Sequence, residues 1–302
     1  MSDLSKKHIP ESLTIAEAVE WGVLACSALQ TTHSGAETQY TEQDAKTDTR
    51  VLLCEVLNVS TAYLFTWSDK ILTAAQVQQF AAWIQLRQTG QPIAYIIGKQ
   101  AFYDSDFLVA PCTLIPRPET EILVDLALEK LSVGPGSCLD LGTGTGAIGI
   151  SIAKADSTIQ VTAVDFVEAA VELAISNAER LRVANFKVFQ SDWYTAITGK
   201  FAVIVSNPPY VEPDSPYLHI GDIVHEPMTA LTAADDGLAD IKIIITGAPE
   251  YLLDDGWLVL EHGQHQGPAV QAIFAQNNFS HITTICDYAQ QPRITYAQYQ
   301  SV

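Results

Sequence analysis

The chain has 302 residues, enough for a sizeable core, and its 48% hydrophobic and 17% charged residues are the balance of a folded protein, not of a disordered one. Sixteen basic residues against thirty-five acidic ones give a formal charge of −19, which repels phosphate backbones and argues against direct nucleic-acid binding. With no run of eighteen apolar residues, no apolar stretch behind the first lysines to act as a secretion signal, and five cysteines without a C-x-x-C pair, the composition excludes a helical membrane span and a disulfide frame; a cytoplasmic protein without a structural metal is expected.

The first ninety or so residues read as a small helical domain. Thr14-Ile-Ala-Glu17 has the form of a capping box, and Val19, Val23 and Cys26 recur at helical spacing behind it. Polar composition from Gln30 to Thr49 predicts a surface loop leading into a second helix that carries Val51, Leu52, Leu53, Val56 and Leu57. A third helix is expected from Thr73, with Val77, Phe80, Ala81 and Ile84 on one face and Gly90 and Pro92 as its stop. The segment Ala101–Ile115 suits a strand–turn–strand connector, after which Pro118 fits the first turn of a helix through Lys130.

From Ser137 onward strand and helix patterns alternate. The apolar runs 137–141, 160–164, 186–190, 201–206 and 257–261 are separated mostly by helical patterns at 147–155, 167–181 and 238–253, which predicts a parallel sheet covered on both faces. The last runs, 279–286 and 293–299, follow each other directly and should form an antiparallel pair at one edge. Pro249 is expected to kink or split its helix. The resulting fold class is α/β, a seven-stranded Rossmann-like domain over residues 117–302, preceded by an all-α domain over 1–98 and a β-hairpin connector over 99–116.

Four motifs carry chemistry. A buried strand ends in Asp140-Leu-Gly142-Thr143-Gly144-Thr145-Gly146 and a helix follows at once; glycines let the backbone turn and approach a ligand, and the helix start offers free amides. Gly144-x-Gly146-x-x-Gly149 also satisfies the dinucleotide fingerprint, so this loop alone admits a nicotinamide cofactor. Asp165 closes the next strand, where a carboxylate accepts hydrogen bonds from both ribose hydroxyls of a nucleoside. Asp192 and Trp193 follow the third strand, as an acceptor for an exocyclic amine and an aromatic wall for a base.

The fourth motif, Ser206-Asn207-Pro208-Pro209-Tyr210, selects the chemistry. The lone pair of an amide or aromatic amine nitrogen is delocalised, and two acceptors aimed at its N–H groups favour the charge-developing transition state over the planar ground state. Asn207 supplies a side-chain carbonyl, Pro208 a backbone carbonyl stiffened by Pro209, and Tyr210 a ring to pack on the planar group. With S-adenosylmethionine as donor the leaving group is already activated, so alignment matters more than acid–base catalysis. Glu261-His-Gly-Gln-His265 contains an H-x-x-H spacing but lies after a strand with no third ligand, so no metal is expected there; His219 and His225 are read as rim residues.

These residues together resemble the bacterial release factor glutamine methyltransferases, the PrmC/HemK family. The resemblance runs from Gln91-Pro-Ile-Ala-Tyr95 through Leu114-Ile-Pro-Arg-Pro-Glu-Thr-Glu121, the glycine loop, Ala163-Val-Asp165, Gln190-Ser-Asp-Trp193 and Val205-Ser-Asn-Pro-Pro-Tyr210 to Glu226-Pro-Met-Thr-Ala-Leu231 and Leu260-Glu-His-Gly263. It implies a class I S-adenosylmethionine-dependent methyltransferase that modifies the glutamine of the Gly-Gly-Gln motif in class-one peptide-chain release factors, giving N5-methylglutamine. It further implies cofactor contacts from Gly142 to Gly146, Asp165 and Trp193 and substrate contacts from Asn207 to Tyr210; Asp192 and Asn207 are expected to join the cofactor contacts and the helical domain to recognise the substrate, while Arg117 and Glu121 look placed near the cofactor mouth without an assigned role. Asn-Pro-Pro-Tyr also marks nucleic-acid adenine methyltransferases, the nearest alternative, which needs a basic track that sixteen basic residues scarcely provide. A nicotinamide oxidoreductase leaves the Asn-Pro-Pro-Tyr segment without a task, and a non-catalytic adaptor leaves Asn207 and both prolines unexplained.

Overall fold

Three threonines start the main helices of the N-terminal region. In the computed structural model, which describes residues 12–27, 40–132 and 136–300, the hydroxyls of Thr14, Thr41 and Thr73 accept the amides of Glu17, Asp44 and Gln76, whose side chains return the bond. These boxes open α1 (Ile15–Cys26), α2 (Glu42–Leu57) and α4 (Ala74–Gln88), with the short α3 (Thr61–Thr66) and α5 (Ile93–Ile97) between and after. The polar stretch expected as a loop from Gln30 to Thr49 is therefore helical from Glu42, because Thr41 and Asp44 cap it and Ala45 and Thr49 face the core; residues 28–39 lie outside the described ones. Ile15, Leu52, Leu53, Phe80 and Ile84 make a buried core for this unit. Residues 1–98 form one compact unit together with the distant segment 216–225, and 99–215 with 226–302 form the other.

Within the helical unit Arg87, 6% exposed, is the anchor of that distant segment. Its guanidinium donates to Asp48 Oδ2 at 2.7 Å, to Asp222 Oδ1 at 2.8 Å and to the carbonyls of Gly90 and Gln91.

The second unit opens with a hairpin, β1 (Lys99–Phe102) and β2 (Ser105–Leu108), shorter than the strand–turn–strand expected over 101–115 because Val109 to Arg117 takes no strand pairing. Pro118–Thr120 form a 3₁₀ turn that leads into α6 (Glu121–Leu131). Then come β3 (Ser137–Leu141), α7 (Ala147–Ala155), β4 (Gln160–Asp165), α8 (Glu168–Leu181), β5 (Phe186–Gln190) and β6 (Phe201–Ser206). Two single turns, α9 (Met228–Leu231) and α10 (Ala234–Gly237), precede α11 (Ala239–Tyr251), β7 (Leu252–Glu261), α12 (Gly267–Gln276), β8 (Phe279–Cys286) and β9 (Pro292–Tyr299). Contrary to expectation, α11 runs unbroken through Pro249; the proline falls in its last turn, where it forfeits a single bond before the helix ends.

The seven strands lie in the order β5-β4-β3-β6-β7-β9-β8, parallel from β5 to β7, with β9 and β8 added antiparallel. Two apolar clusters cover the sheet, one containing Leu123, Val124, Ile150 and Ile152 from α6 and α7, the other Ile241, Ile244 and Phe274 from α11 and α12. The register pairs Leu141 with Ser206 and Ser206 with Leu260. Thus Gly142, Asn207 and Glu261 leave three neighbouring strands at the same edge, the carboxyl end where an open α/β sheet binds its ligands.

Candidate active site

A cavity of about 540 Å³ opens at that edge. Gly142 to Thr145, Asp165, Asp192, Trp193, Asn207 and Pro209 line it, with Thr113, Arg117, Thr120, Phe166, Met228 and Asp240.

The glycine loop requires left-handed backbone at Gly142, Gly144 and Gly146, with φ of 70°, 56° and 82°. A Cβ on Gly142 would come within 3.4 Å of the Trp193 indole, filling the gap between loop and ring; one on Gly146 would meet Ile150 Cδ1 at 2.7 Å. Gly146 accordingly does not face the cavity and instead starts α7. Two buried side chains hold the loop from behind. Asp140 Oδ2 accepts from Thr143 Oγ1 at 2.6 Å and from the Gly149 amide at 3.0 Å, while Asn177 donates to the Thr145 carbonyl and brackets both backbone groups of Leu108. Burial pushes the Asp140 carboxyl up to about 6.

Asp165 stands at the tip of β4. Its Oδ2 accepts from the Gly144 amide at 2.8 Å and Oδ1 from the Val167 amide at 2.9 Å, which fix the carboxylate while each oxygen retains lone-pair capacity. Burial raises its pKa, and the amides of Val167, Gly144 and Phe166 oppose that shift. Trp193 takes left-handed backbone, φ 45°, in a turn closed by Ser191, whose hydroxyl bonds the Trp193 carbonyl and the Ala196 amide. Asp240, a neighbour that the motif did not announce, lines the cavity beside it.

Of the Asn-Pro-Pro-Tyr turn, Asn207 and Pro209 face the cavity, Pro208 is buried, and Tyr210 donates its hydroxyl to Glu261 Oε1 at 3.2 Å. The turn is wedged from outside. Gln266 Nε2 donates to the Tyr210 carbonyl, and a Cβ on Gly237 would sit 2.1 Å from that same oxygen. Asn207 Nδ2 donates to Thr120 Oγ1 at 3.2 Å, and Thr120 Oγ1 donates to Glu261 Oε2 at 2.6 Å. Thr120 and Glu261 were not singled out from sequence; their signal was a threonine inside Arg-Pro-Glu-Thr-Glu and an acid at a strand tip.

Arg117 also acquires a partner. Glu226, 4% exposed, accepts from the Arg117 guanidinium at 2.5 Å and from the Ile115 amide at 3.1 Å, tying the connector to the segment ahead of α9. Glu121 lies away from the cavity and accepts from the Tyr103 amide in the hairpin. His262 is buried between the Gly263 carbonyl and Thr295 Oγ1, and burial lowers its pKa. Among the described residues no group of three side chains is arranged to hold a metal ion. All five cysteines are free thiols, and no described helix is long and apolar enough to cross a membrane.

The parallel sheet, the glycine loop with its strand-tip acid and the Asn-Pro-Pro-Tyr turn beside them define a class I methyltransferase, an enzyme class that takes its methyl group from S-adenosylmethionine. Residues 119–238 match the methyltransferase small domain family and residues 11–98 the PrmC N-terminal domain family. The release factor glutamine methyltransferase of Vibrio cholerae is 47% identical over 84% of this chain and 90% of its own length, and that of Shewanella oneidensis 39% identical over 95% and 97%. The Escherichia coli protein of the same name is 41% identical over 85% of this chain and 93% of its own. The chain belongs to the release factor glutamine methyltransferase family. Solved structures share the fold alone: a methyltransferase from Pyrococcus furiosus aligns with TM-score 0.51 at 20% identity over 74% of this chain and 98% of its own. The hMettl16 catalytic domain in complex with a MAT2A hairpin aligns with TM-score 0.53 at 14% identity over 77% and 86%.

Proposed function

We propose that this protein methylates the side-chain amide of the Gly-Gly-Gln glutamine in class-one peptide-chain release factors, yielding N5-methylglutamine in the cytoplasm. The observation that carries the reading is the Asn207 side chain. Its nitrogen is engaged by Thr120, which leaves its carbonyl oxygen as an acceptor at a cavity shared with the glycine loop and Asp165.

S-adenosylmethionine fits the residues present, because a Cβ at Gly142 would fill the space its glycine leaves open and because Asp165 offers a fixed carboxylate for a ribose. Gly142 to Thr145 and Asp165 would hold the nucleoside and methionine portions, Asp192 and Trp193 would flank the base, and Asn207 would close the reacting end, while Gly146, turned away from the cavity, shapes the loop. The cofactor would supply a methyl group on a positively charged sulfur, so no side chain has to activate the leaving group: the N–C bond forms as the S–C bond breaks, the sulfur leaves as a neutral thioether, and the methylated nitrogen loses one proton to water. Asn207 Oδ1 and the Pro208 carbonyl accept the two N–H groups of the glutamine amide, with Tyr210 packed on its plane, and stabilise the nitrogen as it gives up conjugation. The rest of the chain's work is alignment.

The helical unit is proposed to recognise the release factor. A net charge of −19 disfavours direct nucleic-acid binding. The test is mass spectrometry of a purified release factor after incubation with the protein and S-adenosylmethionine. One added methyl on the Gly-Gly-Gln peptide is expected, and methyl transfer to DNA or RNA adenine in its place would overturn the proposal.

A further inference from the structure

An asparagine at a strand tip has two ends that differ only in hydrogen-bonding sense. Rotating its amide by half a turn exchanges the acceptor for a donor, and a donor facing the NH2 of a substrate amide repels it. Something has to choose between the two.

We infer that Thr120 and Glu261 are positioning residues that fix which end of the Asn207 amide faces the cavity. This rests on the proposed role of Asn207. Thr120 Oγ1 carries one hydrogen, and Glu261 Oε2 lies 2.6 Å away as a carboxylate acceptor, so that hydrogen points to Glu261. Only lone pairs of Thr120 then remain for Asn207, 3.2 Å away, and only the NH2 end of Asn207 can use them. The carbonyl end is left for the substrate. Glu261 Oε1 is engaged by the Tyr210 hydroxyl, so the one carboxylate takes a donor from Thr120 and another from the far end of the Asn-Pro-Pro-Tyr turn.

Burial makes the chain of bonds decisive. Thr120 is 4% and Glu261 2% exposed, leaving little access for water to substitute for either group. The sheet register supplies the proximity: Ser206 pairs with Leu260, so Asn207 and Glu261 are the next residues on adjacent parallel strands, and the 3₁₀ turn before α6 delivers Thr120 between them. The Arg-Pro-Glu-Thr-Glu segment, with no role in cofactor contact assigned to its threonine, thereby gains one.

The test measures kcat, KM for a purified class-one release factor, S-adenosylmethionine affinity and melting temperature for Thr120→Val, Thr120→Ser, Glu261→Gln and Asn207→Ala. Thr120→Val keeps the shape and removes the hydroxyl; kcat is expected to fall about tenfold or more. KM, cofactor affinity and melting temperature should stay close to those of the unaltered protein. Thr120→Ser restores kcat. Glu261→Gln lowers kcat as well, because an amide in that position can donate to Thr120 and free its hydrogen to bond the wrong end of Asn207. Unchanged kcat in Thr120→Val with an inactive Asn207→Ala overturns the inference and leaves the proposed function standing. Loss of cofactor binding or stability in Thr120→Val without rescue by serine also overturns it, showing a structural role. A fully active Asn207→Ala overturns the proposed role of Asn207 and the inference with it.

Discussion

In the proposed reaction Asn207 acts through one carbonyl oxygen, and its replacement by alanine removes that acceptor without touching the glycine loop. Turnover of Asn207→Ala should drop strongly while S-adenosylmethionine binding, measured by titration calorimetry, stays near normal; a selective loss of cofactor binding would contradict the assigned role. Asp165→Ala should behave in reverse, since a charge-assisted bond of roughly 1.5–3 kcal/mol goes with it. Asp140 gives a prediction about pH. Its carboxyl, buried with Oδ1 unpartnered, is raised to about 6, above its value in an unfolded chain. The folded protein therefore holds this proton through the window from about pH 4 to about pH 6 in which the unfolded chain releases it, and stability falls as pH rises across that window, by about 3 kcal/mol in all. Asp140→Asn keeps an acceptor for Thr143 and Gly149 but does not titrate. Thermal melts of the cofactor-free protein at pH 5 and pH 7.5 should differ less for this variant than for the unaltered protein. Gly142, Asp165 and Asn207 were legible in the sequence because each sits in a short motif whose backbone and chemistry are local. Thr120 and Glu261 were not, since they meet across a separation of 141 residues that only the sheet order supplies.

Single elements carry the shape of the site as much as the motifs do. The α10 turn presses on the Asn-Pro-Pro-Tyr turn through Gly237, whose missing Cβ would otherwise lie 2.1 Å from the Tyr210 carbonyl in a left-handed backbone of φ 76°. Gly237→Ala forces one of the two segments to move. It should lower kcat well beyond any loss of cofactor affinity, and the melting temperature should fall with it; normal kinetics would show that the turn tolerates displacement. The periodicities of the second unit announced its seven strands and the helices α7, α8 and α11, because buried parallel strands and amphipathic helices write long patterns; the single turns α9 and α10 and the helix α12 were not read. Three readings went astray for physical reasons, the connector hairpin among them, since Val109 to Arg117 takes no strand pairing. The cap formed by Thr41 and Asp44 turns part of a polar stretch into helix, and Pro249 does no damage where a helix is about to end.

At the scale of the whole chain, composition spoke only to charge and to what is excluded; the return of residues 216–225 to the helical unit was invisible in it. Arg87 secures that return by bonding Asp48 and Asp222 together. Arg87→Met strips the cation from two carboxylates, the first of them largely buried, and should cost on the order of 3 kcal/mol in chemical denaturation. Asp222→Asn should cost less, as Asp222 is 40% exposed on its side chain. Limited proteolysis of Arg87→Met should cut first within 216–225, and cleavage elsewhere would argue that the segment is held by other contacts.

That thread-back bears on how such an enzyme can be re-engineered or shuffled by recombination. A graft that exchanges the first 98 residues for those of another protein transplants only one of two halves of a splice, because residues 216–225 pack with the original. Chimeras joined at a single seam should express poorly, whereas those that also exchange residues 216–225 should recover.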